Sequence, residues 1–160
     1  MLLLSSCAIY YERGFLDKYE FEDFSQFNNV HIFIRGLDNE KNPIILMNAQ
    51  DLVNDTSRIG LYVVVLDKKD YNVIRTNWTL KRDPTIIVDA DTIQLQQLAQ
   101  KFMEYGIPRL DVDEQENVSI YLKDVETLAM VRFVNENELQ KRSKEMKWKN
   151  IKSNWYKPRY

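Results

Sequence analysis

Apolar and polar positions alternate from Val30, with Val30, Ile32 and Ile34 on one face and His31, Phe33 and Arg35 on the other. That period of two predicts a strand. A polar turn over 36–43 follows, and Ile44–Met47 returns as a second strand. A short polar helix or loop is expected over 49–58. Leu61–Leu66 is a continuous apolar run, which predicts a central strand covered on both faces. Asp67–Asp70 turns it into a partner over Asn72–Leu80, and Thr85–Val88 reads as a further short strand after Pro84. The clearest helix spans Thr92–Tyr105. Asp91 stands as its N-cap with Gln94 three residues on, Leu95, Leu98, Ala99 and Phe102 form its stripe, and Gly106 and Pro108 end it. Arg109–Val112, Val118–Leu122 and Thr127–Phe133 are strands again. An acidic turn, Asp113–Asn117, joins the first two, as in an antiparallel meander.

The segment 9–29 is rich in aromatics but follows neither period throughout, and its rings are expected to cover an edge of the core. A last helix is predicted from near Glu136 into the tail, where Trp148, Ile151 and Trp155 recur at helical spacing. Strands in pairs with helices between and after them predict an α+β fold. It is a mostly antiparallel sheet of about seven or eight short strands, with one central helix and a C-terminal helix. The chain divides into a signal-peptide remnant (1–7), an aromatic lead (8–29), an α+β core (30–135), and a C-terminal helix with a basic aromatic tail (136–160). No internal repeat stands out.

Length adds one constraint, since 160 residues suffice for a single core without disulfides or metals. The single cysteine, Cys7, cannot form a disulfide within the chain, and the single histidine, His31, cannot build a two-histidine metal site. Charge changes the picture more. Residues 141–160 carry eight Lys and Arg against one acid, a net +7, leaving 14 basic and 23 acidic residues, or −9, for the rest. An acidic body with a basic tail suggests either docking of the tail on the body or an anionic partner.

The N-terminal Leu4-Ser5-Ser6-Cys7 resembles the bacterial lipobox, in which an aliphatic and two small residues precede the cysteine that is lipidated. The resemblance implies lipidation of Cys7 and anchoring in the membrane. The residues before it do not supply the charged and apolar regions of a secretory signal, so the reading expects them upstream of Met1. The Asn- and Lys-rich style of the chain is similar to that of uncharacterised Bacteroidetes lipoproteins. Arg58–Val65 faintly resembles a first strand of interleukin-like secreted domains, over one hairpin only and with no function implied.

Ile86-Ile87-Val88-Asp89-Ala90-Asp91 resembles the first motif of haloacid-dehalogenase-like phosphatases, which implies that one of Asp89 and Asp91 attacks phosphorus and the other handles the leaving group's proton. Thr92 replaces the usual Gly and the downstream motifs are absent, so a helix cap accounts for the same residues. Asp111, Asp113, Glu114 and Glu116 offer carboxylates to a hard cation, but the calcium-loop spacing is absent and a solvated hairpin tip is expected. His31 has no visible acid partner and reads as an ordinary strand histidine. Asn54, Asn77 and Asn117 begin glycosylation sequons that a bacterium would leave idle.

The tail is the strongest binding candidate, through Lys147, Trp148, Lys149, Lys152, Trp155 and Tyr156. Basic residues with interleaved rings suit an anionic membrane surface or a nucleic-acid backbone. The leading expectation is a non-enzymatic lipoprotein without cofactor or metal, lipid-anchored on the periplasmic face of the outer membrane. It would serve an unidentified protein partner as a binding, inhibitor or assembly subunit. A cytosolic nucleic-acid accessory protein and a metal-dependent phosphatase are the alternatives.

Overall fold

A computed structural model describes residues 4–49, 60–80 and 92–159. The order is α1 (Leu4–Tyr19), a 3-10 turn (Ser25–Phe27), β1 (Val30–Leu37), β2 (Pro43–Ala49), β3 (Gly60–Leu66), β4 (Val73–Leu80) and α2 (Thr92–Tyr105). It continues with β5 (Arg109–Val112), β6 (Val118–Tyr121), β7 (Met130–Arg132), α3 (Glu136–Arg142), β8 (Lys147–Lys152) and β9 (Trp155–Arg159). The strands form one nine-stranded sheet in the order β4-β3-β2-β1-β5-β6-β7-β9-β8, antiparallel at every step.

Alternation decides what each face carries. Val30 and Ile32 of β1, Ile45 and Met47 of β2, Tyr62 and Val64 of β3, and Leu110 and Val112 of β5 turn to one side and are buried. Leu95, Leu98, Ala99 and Phe102 of α2 pack on that side, joined by Phe15, Leu16 and Tyr19 of α1. Gly106, at φ 64°, ends α2 in the left-handed conformation that favours glycine, and its N–H reaches the Met103 carbonyl at 3.1 Å.

Several expectations are corrected. Part of the aromatic lead is α1, whose helical spacing was blurred by Phe21, Phe24 and Phe27 of the following turn. The run Leu61–Leu66 is flanked by β2 and β4 and buried on both faces at Val64 and Val65, but it lies next to the last strand of the described sheet rather than at its middle. Strand β7 begins only at Met130, because Asp124 accepts from the Thr127 N–H and hydroxyl and folds 124–127 into a turn. The tail is not helical. After α3 it forms the β8–β9 hairpin, turning at Ser153 (φ 48°), and Pro158 would have broken a helix there. The predicted strand Thr85–Val88, the segment 50–58, Asn54, Asp89 and Asp91 lie outside the described residues.

Two halves of the sheet share one plan. Each is a helix followed by an antiparallel meander, and their first strands, β1 and β5, pair at the middle. The turns also match. Asp38 accepts from the N–H groups of Glu40 and Asn42 at 2.8 and 2.9 Å, and Asp113 from those of Gln115 and Asn117 at 3.0 and 2.8 Å. Lys41 and Glu116 take positive φ at equivalent places, 70° and 64°. Buried Asn42 then accepts the N–H of Lys68, just past β3, at 3.3 Å, as buried Asn117 accepts that of Val134, just past β7, at 3.1 Å. The match sets Leu66, the last residue of β3, against Arg132, the last of β7. Across the next pairing, Val73 of β4 stands against Trp155 of β9.

Candidate functional site

Away from α1 and α2, the other face of the sheet carries a row of residues in register. His31 on β1 pairs with Asp111 on β5, which pairs with Ser119 on β6. His31 Nδ1 lies 3.3 Å from Asp111 Oδ1, and Arg109 reaches the same carboxylate through Nε at 3.0 Å and Nη2 at 2.6 Å. Arg109 also donates to the Val125 carbonyl at 3.0 Å, and its guanidinium lies 4.5 Å over the Tyr121 ring. Asp111 is only 8% exposed, whereas the His31 side chain is 44% exposed. Burial pushes the Asp111 carboxyl up, but hydrogen bonds from His31 and Arg109 outweigh it and hold the group below its ordinary value. Burial also raises the Tyr121 hydroxyl.

The sequence reading of His31 lacked this acid because 80 residues separate the two (111 − 31) and only the β1–β5 pairing joins them. The visible signal was the alternation Arg109-Leu110-Asp111, which puts the two charges on one face. Chemically the row is a braced ion-pair network with an exposed imidazole. It is not a Ser-His-Asp relay, because the carboxylate stands between Ser119 and His31 and a relay needs the imidazole in the middle.

The acidic hairpin is turn chemistry. Asp113 receives two turn N–H groups and the Asn117 side chain, and pairs with Arg142. Among the described residues no group of three or more His, Cys, Asp or Glu is arranged to hold a metal ion. Asn117 is 1% exposed, which closes its sequon to modification in the folded chain. A shallow pocket of about 320 Å³ lies beside this turn, lined by His31, Asn48, Gln115 and Arg142 among others.

The tail residues separate into distinct environments. Trp155 is fully buried, donates its indole N–H to the Glu20 carbonyl at 3.1 Å, and meets Phe15 and Phe24 edge-on. It is a core residue and drops out of any surface contact. Trp148 and Tyr156 turn to the opposite face and pack on Phe133, with ring centroids 5.1 and 5.6 Å away. The Trp148 Nε1 atom is buried there with no acceptor among the described residues. Lys152 pairs with Glu20 at 2.7 Å and with Asp17, Lys157 pairs with Glu12 at 2.9 Å, and Lys141 pairs with Glu138. A hydrogen bond from Lys152, then one from Ser153, holds the Glu20 carboxyl low. The tail thus docks on the acidic body, and Lys147 and Lys149 remain exposed.

Cys7 stands in the first turns of α1. The described core contacts of that helix begin at Phe15. No helix among the described residues is long and apolar enough to cross a membrane. Compared with protein-family models, curated proteins and solved structures, the chain matches none.

Proposed function

We propose that the protein is a non-enzymatic cell-envelope lipoprotein, anchored through Cys7 at the periplasmic face of the outer membrane. In this reading it is a binding, inhibitor or assembly subunit that meets a protein partner with the sheet face opposite α1 and α2. The observation that carries the binding role is Asp111. Its nearly buried carboxylate is fixed by Arg109 beside the exposed His31 imidazole, so this face presents a rigid pattern of charge. Such braced charges suit a surface whose geometry must be kept for recognition. Anchoring rests on Leu4-Ser5-Ser6-Cys7. The docked tail disfavours a nucleic-acid role, because Arg142, Lys152 and Lys157 already face protein carboxylates.

The test is metabolic labelling with an alkynyl fatty acid in the native host, with the gene in its own reading frame. The native protein is expected to incorporate label and sediment with outer membranes, and Cys7→Ala to do neither. Absence of label in the native protein, or equal label in Cys7→Ala, overturns the anchoring.

A further inference from the structure

At the end of β5, β6 and β7, a cavity of about 220 Å³ opens between the sheet and the loop around the 3-10 turn. Phe24, Val112 and Val118 form its apolar walls, Arg132 and Asn28 its polar interior, and Asp23 and Glu116 its exposed rim. We propose that this cavity binds a small α-amino acid, its carboxylate on the Arg132 guanidinium and its ammonium toward Asn28, Asp23 and Glu116. The inference goes beyond the lipoprotein reading and does not depend on it.

Arg132 is the first reason. It lies on the core-facing side of β7, with its guanidinium 4.9 Å over the Phe24 ring and 5.7 Å from that of Trp155. Nη1 donates to the Glu22 carbonyl at 2.7 Å. Among the described residues no carboxylate lies within ion-pair distance of it, although Asp23 and Glu22 are near enough to favour its charge, and one hydrogen bond leaves most of a five-donor fork open. The remaining N–H groups of this partly desolvated guanidinium can take a carboxylate, which fits the planar fork with two parallel bonds. The matching position in the other half, Leu66, is apolar and fully buried. The meander itself therefore does not require a charge at this place.

Asn28 is the second. Its Oδ1 is buried and receives no hydrogen bond among the described residues, which leaves a carbonyl-type acceptor open to an N–H donor. The rim carboxylates add a cation-attracting mouth, and Asp23 is kept ionised by the backbone N–H of Ser25. Donors at one end, an acceptor inside and two acids at the rim complement a zwitterion. The volume, below the roughly 300–1,000 Å³ of drug-sized sites, restricts it to a small one.

The test is NMR titration of the full chain with glycine, L-alanine and L-serine, each to about 10 mM. Saturable shifts of the Asn28 side-chain amide and Arg132 guanidinium signals are expected for at least one of them. Acetate and methylamine, each carrying half of the recognition, should bind at least about tenfold more weakly. Arg132→Leu, which installs the residue of the other half, should abolish the shifts while the chain stays folded. If that variant does not fold, the rim pair Asp23→Asn with Glu116→Gln should still fold and bind about tenfold more weakly. No saturable shift with any of the three, acetate binding as well as the best of them, or undiminished affinity in the folded variant overturns the proposal.

Discussion

The α1–β4 half and the α2–β9 half begin alike and then diverge after their third strands. In the first, β3 turns at Asp67–Asn72 straight into β4, and the facing positions Leu66 and Val73 are aliphatic. In the second, α3 and β8 intervene before β9 returns to pair with β7, and the same two positions hold Arg132 and Trp155. Phe24 and Trp155 cover the guanidinium that replaces the aliphatic contact. The difference teaches that the shared meander sets the frame, whereas the residues set into it decide whether a matched place holds an aliphatic contact or a charge beside a cavity.

Substitutions at matched positions would sharpen or break this comparison. The largest gap is expected between Trp155→Ala and Val73→Ala. The first removes a fully buried indole and should cost about 4 kcal/mol, the second a half-buried side chain worth about 1 kcal/mol. Urea unfolding of both variants measures the gap, and equal losses would remove the special status of β9. The two buried asparagines come next. Asn117 accepts from Val134 and donates to Asp113 and Glu138, and Asn42 accepts from Lys68 and donates to Asp38. Asn117→Ala should therefore lose about 3 kcal/mol and Asn42→Ala about 2 kcal/mol, as unsatisfied buried groups are left behind. A silent Asn42→Ala would mean that the turns only look alike.

The seam between the halves gives the smallest of the three effects, and pH reads it. The Asp111 carboxyl is held below its ordinary value, so the folded chain binds fewer protons there than the unfolded chain. Its contribution is complete above the ordinary carboxylate pKa near 4 and fades as pH falls through the depressed value. Urea midpoints followed from about pH 6 down to pH 2 should fall less steeply for Asp111→Asn than for the native chain. Identical slopes would show that the His31–Asp111–Arg109 network does not tie β1 to β5.

Regular segments were legible because one local pattern sufficed. Thr92–Tyr105 carried its stripe and its Gly106 stop, and Val30–Ile34 its alternation. The β8–β9 hairpin was misread because Trp148, Ile151 and Trp155 mimic a helical stripe when Ser153, Asn154 and Pro158 are given too little weight. The site was harder. Arg132 does alternate with buried Met130, a sign that it faces inward, but nothing near it in sequence announces Phe24 or Asn28 as neighbours. The matching turns were hidden because they share only the short pattern Asp-x-x-x-Asn, Asp38 to Asn42 and Asp113 to Asn117, with unlike residues between.

The lysines of β8 have a consequence of another kind. Among the described residues β8 pairs with β9 alone, and its outer edge is a row of backbone donors and acceptors that invites a strand from a neighbouring molecule. On β8, Lys147, Lys149 and Lys152 line that edge, and Lys147 and Lys149 are exposed. A second copy docking there would bring like charges together within one interstrand spacing of about 4.8 Å. The β8 lysines thus oppose pairing of two copies edge to edge through β8.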